Sequence, residues 1–261
     1  MGRLAKLIFL GTCSGTEPMP GRHHSSFVLE VGDKYYWFDA GENCSHAAVT
    51  AGIDVSRIRA VFISHMHIDH VGGLANLLFV IRKLVSVTGK PHANGNSYDV
   101  FVPDLELFGM IRTVSTMRKE KETASPTIVD HEISDGLLFE DENICVTALH
   151  NTHLGETGED GWHSYSFLIE TEGKRIVFSG DVKYPEELDP LTAGGCDALI
   201  METGHHKVAR VLAYANARGT KKLLFTHHGR EILADPAAAA RAAAAAHPDA
   251  TVCRDGDTVI L

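Results

Sequence analysis

The chain has 261 residues, 44% hydrophobic and 22% charged, and its 34 acidic and 24 basic side chains give a formal net charge of −10. That is ordinary globular composition with length enough for a sizeable core, and the acidic balance excludes a general nucleic-acid binder, which needs a basic face. Two bound divalent cations would add roughly +4 and soften that exclusion.

The 16 histidines say more than the charge. Five cysteines (Cys13, Cys44, Cys145, Cys196, Cys253) are scattered, odd in number and form no C-x-x-C. This is neither a disulfide framework nor a zinc knuckle, so a reducing, cytoplasmic setting is expected. The apolar run "LIFL" is too short for a signal segment, and no stretch is expected to span a bilayer. With no linker rich in Pro, Ser or Gly, the expectation is a single domain over residues 1–261.

Short β-rich runs alternate with turn signals through the first part: "KLIFLG", "SSFVLEV", "KYYWFDAG" and "RAVFISH". The apolar spacing of "GGLANLLFVIRKLVSV" predicts a helix, "SYDVFVP" a strand, residues 104–117 a helix and "ICVTALH" a strand. The second half repeats the theme with strands "SYSFLIET", "KRIVFSGD" and "DALIMET", the helix "KVARVLAYANAR" closed by Gly219, and the strand "KKLLFTH". "DPAAAARAAAAAHPD" predicts a helix capped by Asp235, opened by Pro236 and stopped by Pro248. "RAVFISH" and "KKLLFTH" both end in a hydroxyl residue and a histidine, while "KYYWFDAG" and "KRIVFSGD" both end at a carboxylate beside Gly. These echoes suggest two similar αβ halves delivering side chains to a shared edge.

The densest chemistry lies in "ISHMHIDHVGG", with spacing His65-x-His67-x-Asp69-His70. A strand would put 65, 67 and 69 on one face and 70 on the other, so a loop starting near His65 is expected to let the side chains diverge. The natural reading is two adjacent metals, His65 and His67 serving one, Asp69 and His70 the other. Imidazole with carboxylate suits Zn²⁺, Mn²⁺ or Fe²⁺ and leaves open positions for water. Further candidates stand at strand ends: Asp39, His150 and His153, Asp181, and His227 with His228. Alone, each of these residue types is more often structural; their joint recurrence around one cluster gives them weight.

"HMHIDH" resembles the H-x-H-x-D-H signature of the metallo-β-lactamase-fold superfamily, and the order Asp39, cluster, His153, Asp181, His227 is similar over residues 5–230. "GTCSGTEPMPGRHHSS" and "FDAGE" resemble segments of the ribonuclease Z-like branch. The resemblance implies an α/β protein with a four-layer αββα sandwich and a binuclear site at the shared sheet edge. By position it implies His65, His67 and His153 on one metal, Asp69, His70 and His227 on the other, Asp181 bridging, and Asp39 orienting ligands from behind. His153 fits the spacing better than His150, and His227 better than His228.

The expected chemistry is hydrolysis by a hydroxide held between two divalent metals, Zn first, with Mn or Fe as alternatives. A phosphodiester suits this arrangement, and its alkoxide leaving group benefits from a general acid. In "METGHHK" the resemblance implies His205 as that acid, with His206 competing for the role and Glu202 as its orienting partner. Asp69, His205 and Glu202 are thus the expected catalytic residues, with Arg22, His23, His24 and His206 as expected substrate contacts. The tRNA-processing relatives insert a long arm after the third-motif histidine. Here only "LGETGEDGWH" follows His153, with Glu156, Glu159 and Asp160 facing any polyanion. A small or nucleotide phosphodiester is therefore expected, with no strong nucleic-acid binding and no membrane partner. Hydrolysis of a carboxylic ester, thioester or lactone on the same site is the alternative; a tRNA 3′-end endonuclease and a non-catalytic metal-binding module rank below it. Ribonuclease Z-like proteins often pair, so the resemblance allows a homodimer.

Overall fold

The computed structural model describes residues 5–17, 19–117, 126–155 and 161–261. Its first strands are β1 (Lys6–Gly11), β2 (Ser26–Val31), β3 (Lys34–Phe38), β4 (Ile58–Phe62), β5 (Ser97–Val102) and β6 (Thr127–Glu132). Then come β7 (Gly136–Glu140), β8 (Cys145–His150), β9 (Tyr165–Thr171), β10 (Lys174–Phe178), β11 (Ala198–Thr203), β12 (Lys222–His228), β13 (Ala250–Val252) and β14 (Thr258–Ile260). Among the described residues they form two seven-stranded sheets, in the orders β14-β1-β2-β3-β4-β5-β6 and β13-β12-β11-β10-β9-β8-β7.

Successive side chains of a strand point to opposite faces, and here both faces are apolar. In β3, Tyr36 and Phe38 enter the core between the sheets, whereas Tyr35 and Trp37 enter the layer outside the first sheet. Phe27, Phe38, Phe62 and Phe101 stack across neighbouring strands at 4.9–5.0 Å between rings. Phe178 of the second sheet meets Phe27 edge-on at 5.0 Å. Outside the first sheet lie α1 (Cys44–Thr50), α2 (Ile68–Val71), α3 (Leu74–Thr88) and α4 (Leu105–Thr116). Outside the second lie α5 (Asp189–Thr192), α6 (Val208–Ala217), α7 (Arg230–Ala234) and α8 (Pro236–Ala246). The layering is αββα, as the sequence leads one to expect, and the five cysteines are free.

Two expectations need correction. Ile68–Thr88, 21 residues at mean hydropathy 1.5, is long and apolar enough to cross a membrane by length and composition. Its apolar face packs inward: Leu74, Leu77, Leu78, Ile81 and Val85 are buried outside the first sheet. The echo of "RAVFISH" with "KKLLFTH" also pairs the wrong strands. β4 is the first parallel neighbour of the β2–β3 hairpin, and its counterpart beside the β9–β10 hairpin is β11, not β12. The echo of β3 with β10 does match the topology, since each is the hairpin strand that passes the chain to a parallel neighbour.

The C-terminal residues join both sheets. β13 pairs with β12 in the second sheet and β14 with β1 in the first. Asp255, in the turn between them, accepts hydrogen bonds from Thr12 Oγ1 at 2.7 Å and from the His23 amide at 2.6 Å. Across the edge where the functional residues gather, the Tyr165 amide donates to Ser64 O at 2.9 Å, and His65 bridges to Ser164.

His92 is 2% exposed, lies against Tyr98 at 5.4 Å, and neither ring nitrogen has a hydrogen bond among the described residues. Burial therefore pulls its pKa from 6.5 down to about 4. Between those values the unfolded chain binds a proton that the folded chain refuses, so stability falls as pH drops through this window. The loss traceable to His92 is about 3 kcal/mol by pH 4. In urea titrations, His92→Phe is expected to flatten the acid limb by that order; an unchanged limb would assign the acid sensitivity to other groups.

Candidate metal centre

Parallel strands put their C-terminal ends on one edge, and the functional side chains come from those ends: Asp39 after β3, His65 after β4, Asp181 after β10, Glu202 near the end of β11 and His227 in β12. β8 runs the same way, because it and β10 are both antiparallel to β9, and so delivers His153.

The loop expected near His65 is there at residues 63–67, but it gives way at once to a helical turn that carries Asp69 and His70. β4 ends at Phe62, His67 is extended (φ −61, ψ 148) and caps α2, and Asp69 and His70 sit inside that single helical turn. His65 and His67 leave from extended backbone, while Asp69 and His70 are about 100° apart around a helix axis. The junction packs tightly on the turn after β3. The Gly73 amide donates to Ala40 O at 2.8 Å, and a Cβ on Gly73 would lie 2.2 Å from Gly41 O. This close approach is the physical use of the second glycine in "VGG".

One group of donor atoms, from His65, His67 and His153, lies within 4.8 Å, as does a second from Asp69, His70 and His227. Asp181 stands between them. Its Oδ2 is 3.8 Å from His65 Nε2, 3.7 Å from His153 Nε2 and 3.5 Å from His227 Nε2, and its Oδ1 is 3.5 Å from His70 Nε2. His70 Nε2 and Asp181 Oδ1 are buried with no hydrogen-bond partner among the described residues. Two orphaned polar atoms aimed at one point, among imidazole and carboxylate donors, fit a divalent cation.

Asp39 is 0% exposed and accepts from the Ser64 amide (2.7 Å), Ser64 Oγ (2.9 Å) and His70 Nδ1 (2.7 Å). Holding the Nδ1 proton turns the Nε2 lone pair of His70 toward the centre. Asp39 occupies left-handed backbone (φ 52), and so does His227 (φ 47). Both are non-glycine residues in a sparsely populated region, as found where a site stores strain. Gly204 makes room for His227: a Cβ there would lie 2.6 Å from Nδ1.

Burial opposes charge on His70, but the Asp181 and Asp39 carboxylates overcome it and hold the pKa well above 6.5. His65, also buried, goes the other way: burial, then the positive charge of His70, push it well below 6.5. Burial works against ionisation of Asp69 and Asp181, yet the hydrogen bond from His227 to Asp69 and the charges of His227 and His70 keep both well below the usual carboxylate range. A divalent cation would satisfy the same carboxylates in place of the His70 proton.

His205 Nδ1 lies 3.2 Å from Glu202 Oε1 and 3.7 Å from Asp181 Oδ2. The hydrogen bond to Glu202 raises its pKa to about 9 against the effect of burial. His206, left open from sequence, donates through Nε2 to Val182 O at 2.9 Å, and that nitrogen also lies 3.4 Å from Glu202 Oε1. His205 and His206 both line a cavity of about 340 Å³ with Ser14, Thr16, Lys207 and Arg230.

Other expected contacts are engaged elsewhere. Arg22 donates to Thr12 Oγ1 (2.8 Å) and Cys253 O (3.1 Å), and His23 Nδ1 pairs with Glu42 Oε1 at 3.0 Å. Arg22, His23 and His24 line a different cavity, of about 520 Å³. His150 stacks on Trp162 at 3.8 Å and pairs with Asp135, and His228 bonds Cys253 O, so neither joins the cluster. The acidic residues Glu156, Glu159 and Asp160 lie outside the described residues. Sequence reading missed Ser64, which serves Asp39, and Gly15, whose amide donates to Asp69 Oδ2 at 2.9 Å. Ser64 had a signal in the repeated hydroxyl–His strand ends; Gly15 had none beyond its place in the glycine-rich first loop.

An αββα sandwich with imidazoles and carboxylates converging at the shared sheet edge defines the class by its fold: the metallo-β-lactamase fold, in a form like that of ribonuclease Z. The human short-form tRNase Z superposes with a TM-score of 0.73 over 97% of this chain and 98% of that one, at 21% identity, a likeness of fold. The chain belongs to the family described as Anti-Pycsar protein Apyc1, whose model matches residues 5–234. It is 33% identical over 153 residues to the ribonuclease Z of Synechococcus sp. (strain CC9311), covering 57% of this chain and 45% of that one. To the ribonuclease Z of Bacillus subtilis (strain 168) it is 27% identical over 287 residues, covering 85% and 87%. The chain thus spans about half the length of the first relative and most of the second.

Asp39→Asn keeps the shape but loses the charge that faces His70 Nδ1. Divalent-cation affinity, read by calorimetric titration of chelator-treated protein with Zn²⁺ or Mn²⁺, is expected to fall about 10–100-fold. Unchanged affinity would remove Asp39 from the support of the site.

Proposed function

We propose that the chain is a phosphodiesterase of a small or nucleotide phosphodiester, working with two divalent cations, Zn²⁺ first and Mn²⁺ or Fe²⁺ as alternatives. His65, His67 and His153 would hold one, Asp69, His70 and His227 the other, with Asp181 shared. Such cations lower the pKa of water from about 15.7 toward 7 and offset charge on a phosphoryl group.

The observation that carries the reading is His205 beside the cluster, backed by buried Glu202 and held protonated up to a pKa of about 9. A carboxylic thioester needs no acid for its leaving thiolate; an alkoxide leaving a phosphodiester does. In its imidazolium form His205 keeps one N–H on Glu202 and has the other for the leaving oxygen. Glu202 also accepts from the His205 amide at 2.9 Å, so ring and backbone are fixed by one carboxylate. The adjoining cavity of about 340 Å³ has room for a small substrate beside His205.

His205→Ala is expected to lower kcat about 10²–10⁴-fold on cyclic or linear dinucleotide phosphodiesters, whose alkoxides need a proton, and far less on a bis-aryl phosphate. Equal losses on both would take the acid role from His205. Purified metal-loaded protein is to be offered bis-aryl phosphate, cyclic nucleotides, precursor tRNA, a thioester and a lactone. Turnover of the last two alone would overturn the phosphodiesterase reading, and preference for precursor tRNA would overturn the small substrate.

A further inference from the structure

Two residues expected to hold cations, His153 and Asp181, sit on separate loops of the second sheet, one after β8 and one after β10. The first is fixed from one side by Asn151, whose Oδ1 accepts from Ser164 Oγ at 2.8 Å and from the His153 amide at 3.1 Å. The other side of both loops converges on one side chain, Glu187, in a short 3₁₀ turn at Pro185–Leu188. Glu187 Oε1 accepts from the Thr152 amide at 2.8 Å and from Thr152 Oγ1 at 2.5 Å. Its Oε2 accepts from the amides of Lys183 at 2.9 Å and Tyr184 at 3.0 Å. Thr152 immediately precedes His153, and Lys183 follows Asp181 by two residues.

We propose that Glu187 is a positioning residue that sets the spacing between His153 and Asp181 by bonding both of their loops with one carboxylate. Each oxygen serves one loop, so the rigid width of the carboxylate becomes the gauge between them. Only an ionised carboxylate does this, since it accepts on both oxygens and donates on neither. A glutamine would present an amide NH₂ to one pair of donors and leave that loop unheld. An aspartate keeps the charge but is one methylene too short for both. The role parallels that of Asp39 on the other side of the centre, which fixes His70 and Ser64. Glu187 touches the site only through backbone and Thr152, and nothing in the sequence pattern singles it out.

The inference rests on the two-cation reading above, and its test separates the two. Chelator-treated wild type, Glu187→Gln and Asp39→Asn are each titrated with Co²⁺, following heat and the visible d–d bands. Wild type is expected to take up two ions in resolvable steps. Glu187→Gln is expected to weaken the step that involves His153 most, about 10–100-fold, and change its band, with a smaller loss in the other step, which shares Asp181, whereas Asp39→Asn reverses that order. No ion uptake by wild type would sink the two-cation reading itself. Two normal steps in Glu187→Gln, with unaltered bands, would overturn the role of Glu187 alone. Uniform weakening of both steps would show only a general loss of order and also overturn it. Should Glu187→Gln fail to fold, Thr152→Val removes a single donor; a several-fold weakening confined to the same step is expected, and no change would overturn the inference.

Discussion

A carboxylate buried where two sheets meet is the constraint on which the rest depends. Asp181 is 2% exposed, and leaving an ionised carboxylate unpaired there would cost several kcal/mol. Its oxygens lie within 3.5–3.8 Å of imidazoles from His65, His70, His153 and His227. No single element could supply that ring of partners. Two come from the junction after β4 in the first sheet and two from different strands of the second, so the charge is tolerable only if both sheets bring the same edge together. The phenylalanine layer between the sheets and the Tyr165–Ser64 hydrogen bond across the edge do so. Packing and electrostatics thus solve one problem from opposite ends.

The imidazoles need aiming as well as bringing near. Asp39 assigns the tautomer of His70, Glu202 holds the proton of His205, and the strained backbone of Asp39 and His227 is offset by the dense packing around Gly73 and Gly204. In each case a fully or nearly buried carboxylate or a glycine does what a mobile surface group could not. The site is rigid because its supports belong to the core.

The layered fold and the cluster were legible in the sequence because their signals are local. Strands β1 to β4 read as apolar runs, and His65, His67, Asp69 and His70 lie within six positions. Distant members such as Asp181 and His227 were found only because strand ends share an edge. What stayed hidden depends on partners far along the chain. β6 reads "TIVDHE", mostly exposed and polar on both faces, so no alternation marked it. The helical turn at Ile68–Val71, inside the segment expected as loop, went unread because four residues are too few to show a period. Arg22 looked like a free cation at a substrate rim, yet Thr12 and Cys253 O engage it, and a contact spanning 231 positions leaves no trace in local composition.

That same long reach governs when the site can form. The first glycine-rich loop gives Asp69 the Gly15 amide, but Thr12 and His23 are tied down by Asp255, more than two hundred positions later. Synthesis runs from the N-terminus, so the opening segment, already paired through β1 with β2, must wait for residue 255 to emerge before these ties can form. β14 then closes the free side of β1, and one late event both shields that exposed strand and completes the first loop. A nascent chain stalled before residue 255 would carry every histidine of the centre yet lack the clasp on the loop that reaches Asp69.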